Sequence, residues 1–204
     1  MIKEIFESYG FKLSEKEINS FEIYKTLLMD WNKVINLTSI TDDREIIIKH
    51  FIDSYSICKK LFEDKKIKTV LDMGTGAGFP GVIAGILYPN IDFTLVDSVN
   101  KKVTFVEEVV EALNLKNVFP KHHRLTAGNP SKKTYDVVFS RAFMKPKKLV
   151  HFAKKYVAKD GFHTMLLTQN QIESFSEEIK RYSPEIIKYP YEGKDRYILK
   201  FARK

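Results

Sequence analysis

Asp72, Gly74, Gly76 and Gly78 alternate along the string VLDMGTGAGFPG, Val70 to Gly81, which lies between two apolar runs. Glycine at that density lets a backbone press against a nucleotide, because no Cβ stands in the way. Gly76, Gly78 and Gly81 match the spacing G-x-G-x-x-G, and Asp97 follows 21 residues after Gly76, where an acid takes the hydroxyls of a ribose. The spacing alone fits NAD and other nucleosides equally. Asp72 helps to separate them. A carboxylate at the strand's end repels a pyrophosphate but attracts a cofactor that carries an ammonium and a sulfonium centre. Pro80 fixes φ at the start of the helix that follows.

Other reactive side chains are few. Cys58 is the only cysteine, which excludes an intramolecular disulfide and a cysteine-built zinc site. His122 and His123 are adjacent on an extended segment and point apart, so no metal site is expected there or elsewhere. His50 and Asp53, three apart on a helix, share a face and read as an orienting pair. Asn36 and Thr38 read equally as caps of the next helix or as contacts to a ligand.

The elements that must position these residues fall into two regions. Residues 1–64 form a helical N-terminal region: Ser14 and Glu17 make a capping box, and Phe21, Tyr24, Leu27, Leu28 and Trp31 recur at helical spacing. After the break NLTSITDD, a second amphipathic helix runs from about Asp43 to Phe62. Residues 65–204 change pattern. The β-rich runs KTVLDM, IDFTLVD, YDVVFS, FHTMLLT and RYILKFA alternate with helices at Gly81–Tyr88, Asn100–Leu113, Lys147–Ala158 and Gln171–Tyr182. That alternation predicts an α/β fold, a mainly parallel sheet with helices on both faces. The last two strands, Glu185–Tyr189 and Arg196–Phe201, have no helix between them and predict an antiparallel hairpin at the sheet's end. Glu63–Lys66 is the best linker.

Charge is unevenly placed. The 204 residues carry a net charge of +8, yet the stretch 116–159 holds 12 Lys/Arg against one acid, Asp136. Phe119, Tyr135, Phe139, Phe143, Phe152 and Tyr156 are interleaved with those cations, a pattern that fits a polyanion partner such as nucleic acid as well as a solvated face. No apolar run approaches the roughly 18 residues of a membrane span. The acidic start MIKEIFESYG does not read as a signal peptide, so a cytoplasmic protein with no membrane partner is expected.

The strings GTGAGFPG, LVDSVNKKVTFVEEV and SRAF, with WNKVINLTSI and KHFIDS before them, resemble the glucose-inhibited division protein B family. Its members are S-adenosylmethionine-dependent methyltransferases acting on guanine N7 of 16S ribosomal RNA. The resemblance spans about Trp31 to Phe143 and implies a Rossmann-like methyltransferase sheet, an S-adenosylmethionine cofactor and the small ribosomal subunit as partner; a monomer is expected. It implies a cofactor pocket from Asp72, Gly74, Gly76, Gly78, Phe79, Asp97, Leu125, Thr126 and Arg141. Arg124, Arg141 and Asn36 would stand beside the reacting atoms, and Lys101, Lys102, Lys121, Lys145, Lys147 and Lys148 would hold RNA. The chain departs from the family pattern at Thr126, where an acid is usual, and at Thr168-Gln169, in place of Lys-Gly.

The residues present also bear on the acceptor. Guanine N7 carries an available lone pair, so no proton leaves before attack and no general base is needed. Carbon methylation of pyrimidines would use a cysteine near the pocket, and Cys58 lies on an N-terminal helix. Methylation of an adenine amino group often uses an Asn/Asp-Pro-Pro-aromatic motif, where this chain has Ser140-Arg141-Ala142-Phe143. A ring nitrogen remains. The alternatives are an S-adenosylmethionine- and RNA-binding module without turnover, a small-molecule methyltransferase, and an NAD-linked oxidoreductase, which Asp72 disfavours.

Overall fold

The computed structural model describes residues 1–62, 66–141, 144, 146–174, 177 and 181–203, with the backbone alone at 146 and 147. The expected linker at 63–66 therefore lies almost wholly outside the described residues.

Two helices open the chain, α1 (Ile2–Ser8) and α2 (Glu15–Asn32). The predicted capping box closes α2: the Glu17 N–H donates to Ser14 Oγ at 3.3 Å, and the Ser14 N–H donates to Glu17 Oε2 at 2.6 Å. The second helical stretch is continuous but not uniform. It runs through α3 (Asp43–Ile46), a π-helical segment Ile47–Ile52 and α4 (Asp53–Leu61), and Asp42 caps its start by accepting from the Glu45 N–H. Asn36 and Thr38 do not cap it. Asn32 Oδ1 instead accepts from the N–H groups of Leu37 and Thr38, which folds the NLT segment back onto the end of α2.

Then strands and helices alternate: β1 (Thr69–Met73), α5 (Gly81–Leu87), β2 (Asp92–Asp97), α6 (Asn100–Ala112), β3 (Val118–His122), β4 (Tyr135–Ser140), α7 (Pro146–Ala153), β5 (Val157–Thr168), α8 (Gln169–Ser174), β6 (Glu185–Tyr191) and β7 (Lys194–Ala202). The sheet order is β3-β2-β1-β4-β5-β7-β6, with only β6 and β7 antiparallel to their neighbours. The expected hairpin is thus present, with β7 inserted beside β5 and β6 at the edge. Strand order reverses between β1 and β4, and ligands of open α/β sheets bind at the carboxyl ends of such a pair.

Side chains of β1 alternate between two cores. Val70 joins the layer of α1 to α6, while Leu71 and Met73 join the layer of α7. Both faces are covered, so the central strands read as unbroken apolar runs. The N-terminal helices share one buried cluster with the sheet, from Phe6, Phe21 and Tyr24 through to Phe139 and Ile198.

Two boundaries differ from expectation. The helix read as Lys147–Ala158 ends at Ala153, and after one tight turn at Lys154–Tyr156 the chain enters β5 at Val157, which pairs with Tyr135. The charged pair Lys159-Asp160 hides that early strand, because the register to β4 shifts there and Asp160 takes φ 67°. The helix read as Gln171–Tyr182 is α8, ending at Ser174, and its expected second half falls largely outside the described residues. No described helix is long and apolar enough to cross a membrane.

Candidate functional site

The glycine loop leaves β1 at the switch point and enters α5. Gly74, Gly76 and Gly78 take φ of 69°, 61° and 90°, conformations costly for any residue with a Cβ. At Gly78 a Cβ would also lie 2.7 Å from the Tyr24 hydroxyl and from Val82 Cγ2. Gly76 has open space at its Cβ position, so the chain there presents bare backbone to a ligand. Asp97 fixes the loop's height: its Oδ2 accepts from the Gly76 N–H and its Oδ1 from the Val99 N–H, both at 2.9 Å. Each carboxylate oxygen retains a lone pair for a further donor.

Asp72 lies beneath the loop. Its Oδ2 accepts from Thr75 Oγ1 at 2.8 Å and from the Gly81 N–H at 3.0 Å, while its buried Oδ1 has no partner among the described residues. Burial pushes its carboxyl up to about 7, against the pull of Thr75, Gly81 and Arg141. A buried oxygen without a partner is costly, and a donor group placed beside it would relieve that cost. An S-adenosylmethionine molecule fits that donor set, since its ammonium supplies what Asp72 lacks and Asp97 stands at the neighbouring strand's end for its ribose.

Phe79 anchors the loop from below. Its ring is 1% exposed, stacked between Tyr24 at 4.8 Å and His50 at 4.9 Å, so it fastens the loop to α2 and the π-helical segment instead of facing an open cleft. The Tyr24 hydroxyl donates to the Ala77 carbonyl, which adds a polar anchor. His50 is no partner of Asp53. Its Nε2 lies 2.8 Å from Thr38 Oγ1, and burial lowers its pKa to about 4, so the ring stays neutral. Asp53 instead receives the Tyr189 hydroxyl at 2.9 Å and stands 3.8 Å from Arg141 Nη1.

The remaining expected residues divide. Leu125 lines a cleft of about 260 Å³ with Val96 and Tyr156 beside β1 and β2. Thr126 is exposed, and its backbone N–H and carbonyl are bound by the Tyr156 hydroxyl at 3.0 and 2.7 Å. Arg124 and Asn36 are exposed. Lys101, Lys121 and Lys148 are exposed and Lys102 is half-buried, whereas Lys145 and the side chain of Lys147 lie outside the described residues. Among the described aromatics interleaved with the basic stretch, Tyr135, Phe139 and Tyr156 are core, Phe152 is half-buried and only Phe119 is well exposed. Phe143 lies outside the described residues. Sequence reasoning missed Tyr189 and Arg196. The available signal was Asp53, an acid on the buried face of its helix, whose neighbour Lys49 one turn earlier pairs with Glu45 instead.

Residues 17–190 match the family model described as rRNA small subunit methyltransferase G. The chain belongs to that family. A ribosomal RNA small subunit methyltransferase G of Clostridium botulinum (strain Eklund 17B / Type B) is 44% identical over 177 residues, covering 85% of this chain and 72% of that protein. The Bacillus subtilis (strain 168) protein of the same name is 34% identical over 202 residues, covering 93% and 84%. Among solved structures, a Pyrococcus furiosus methyltransferase superposes with TM-score 0.60 at 19% identity, covering 90% of this chain and 98% of that one. A T. thermophilus 16S rRNA N2 G1207 methyltransferase in complex with AdoMet and guanosine gives TM-score 0.58 at 13% identity, covering 75% and 42%. The solved structures establish the shared methyltransferase fold; membership of the methyltransferase G family rests on the sequence match.

Proposed function

We propose that the protein is an enzyme that transfers the methyl group of S-adenosylmethionine to N7 of a guanine in 16S ribosomal RNA of the small subunit. The observation that carries this is the orphaned oxygen of Asp72 under the glycine loop, at the switch point of a methyltransferase G family member. Bound S-adenosylmethionine supplies a methyl group already activated by its sulfonium centre. The chain's own residues bind and align. Asp72 balances cationic charge, Gly74, Gly76 and Gly78 give backbone access, and Asp97 takes the ribose hydroxyls. Leu125 and Thr126 border the base. Arg141, Arg124 and Asn36 stand at the mouth, where the guanine enters, and Lys101, Lys102, Lys121, Lys145, Lys147 and Lys148 hold RNA phosphates.

N7 needs no deprotonation, so orientation supplies the rate. His50, buried, neutral and occupied by Thr38 Oγ1 at Nε2, serves as a packing surface, and no proton transfer is routed through it. The helical region 1–64 forms one wall of the site, and 65–204 the methyltransferase domain. The protein works as a monomer in the cytoplasm.

Methylation at N7 fixes a positive charge on the ring and labilises the glycosidic bond. Borohydride reduction followed by aniline then cuts the RNA at that nucleotide. One strong scission is expected in small-subunit RNA from cells carrying the protein, none in its absence, and restoration by purified protein with S-adenosylmethionine. A methyl group on a base carbon, an exocyclic amine or a ribose hydroxyl would overturn the N7 assignment.

A further inference from the structure

Away from the glycine loop, a cleft of about 600 Å³ opens between the N-terminal helices and the β6–β7 hairpin. Its walls come from Tyr9 and Phe11, which follow α1, and from Lys59 and Lys60 near the end of α4. Tyr189, Tyr191 and Glu192 close it from the hairpin. No described residue of β1, β2 or the glycine loop borders it, so it is separate from the cofactor site. The hairpin turn is fixed. Glu192 and Gly193 take φ of 47° and 69°, the two left-handed positions of a tight turn between the paired Tyr191 and Lys194.

The aromatic walls carry little polar function of their own. Tyr189 offers its ring, because its hydroxyl donates to Asp53 Oδ1 at 2.9 Å. Tyr191 is 6% exposed, with Arg196 4.2 Å from its ring centroid, and its buried hydroxyl has no partner among the described residues. A ligand group beside that hydroxyl relieves the cost of leaving it unpaired. The charges stand on two different elements. Lys59 and Lys60 are exposed on α4, and neither pairs with a carboxylate among the described residues. Lys59 Nζ rests 5.5 Å from the Tyr55 centroid, a weak hold at an exposed site. Glu192 is exposed at the hairpin tip.

We infer that this cleft is a nucleotide site, with the base among Tyr9, Phe11, Tyr189 and Tyr191 and the phosphate on Lys59 and Lys60. A base stacks on aromatic side chains whatever its sequence, and a phosphate takes charge-assisted bonds from ammonium groups. Glu192 then accepts from an amino or ring N–H of the base, which gives the acid a role beside two lysines. The volume lies in the range that holds such a ligand. The site goes beyond methyl transfer and does not depend on it. A nucleotide of an RNA strand and a free nucleotide share this chemistry. Tyr189 ties the cleft to the edge where β4 ends, since Asp53, which accepts from its hydroxyl, stands 3.8 Å from Arg141 Nη1.

CMP is the probe, because its base is neither the cofactor's adenine nor the guanine acceptor. Calorimetric titration should show CMP binding with and without S-adenosylhomocysteine, about tenfold tighter than ribose 5-phosphate, which lacks the base. Lys59→Gln combined with Lys60→Gln should weaken CMP about tenfold, and Glu192→Gln about threefold with ribose 5-phosphate unchanged. These side chains are exposed, so the variants keep the core intact. CMP binding no tighter than ribose 5-phosphate overturns the site, as does unchanged CMP affinity in either variant or loss of CMP binding when S-adenosylhomocysteine is added. Binding of 16S rRNA by the lysine variant then identifies the source. A salt slope lower by about one unit assigns the site to a nucleotide of the RNA, and an unchanged slope assigns it to a free nucleotide.

Discussion

At the scale of single residues, Asp72 is in tension with its surroundings. Burial favours its neutral form and raises its carboxyl from 3.8 to about 7. Between those values the folded protein holds a proton that the unfolded chain has lost. Stability from this group is therefore greatest below about pH 4 and declines as pH rises to about 7, by several kcal/mol at about 1.4 per unit. A ligand cation beside Oδ1 reverses the preference and favours the carboxylate. Binding of S-adenosylmethionine should then strengthen about tenfold from pH 6 to pH 8, following the ionised fraction of a group titrating near 7. Asp72→Asn should bind more weakly, with a flat profile over that range. Calorimetric titrations at both pH values check this, and a flat wild-type profile would remove Asp72 as the cation's partner. His50 does not confuse the measurement, because burial keeps it neutral at both values.

At the scale of elements, the loop is held by what lies under it. The Phe79 ring joins α2 through Tyr24 and the π-helical segment through His50 and Phe51, so its removal opens a cavity between three elements. Phe79→Ala should lower unfolding free energy by about 3–5 kcal/mol in urea titrations. Stability within about 1 kcal/mol of wild type, combined with lost cofactor affinity, would instead make Phe79 a wall of the cofactor pocket. The strands and the loop were legible in the sequence because β1, β2 and β4 are apolar on both faces and because three alternating glycines admit few backbone paths. The early start of β5 was not legible, since the charged Lys159 and Asp160 interrupt it and its pairing depends on a shifted register with β4. The packing of the Phe79 ring was not legible, because nothing local to the loop shows Tyr24, 55 residues earlier, beside it. The Asp53 cluster was out of reach for the same reason: Tyr189 meets it across 136 residues.

At the scale of the whole molecule, topology gathers charge that composition only counts. The stretch 116–159 carries the whole positive excess, and because Tyr135, Phe139 and Tyr156 are core, its cations are what it offers at the surface. Lys101 lies at the start of α6 after β2, Lys121 near the end of β3, and Lys148 in the first turn of α7 after β4. All three therefore stand at the carboxyl edge of the parallel strands, the edge at which the glycine loop and Arg141 open. Cations spread over one edge hold a phosphate backbone without reading its bases, and each phosphate contact releases counterions. Replacing Lys101, Lys121 and Lys148 together by Gln should reduce the salt slope of 16S rRNA binding by about two to three units, at about 0.7–0.9 per contact. S-adenosylmethionine affinity and the unfolding midpoint should hold, because these side chains are exposed. Binding measured from low to high salt decides the matter: an unchanged slope would make the three lysines a solvated face and move the RNA to another edge of the sheet.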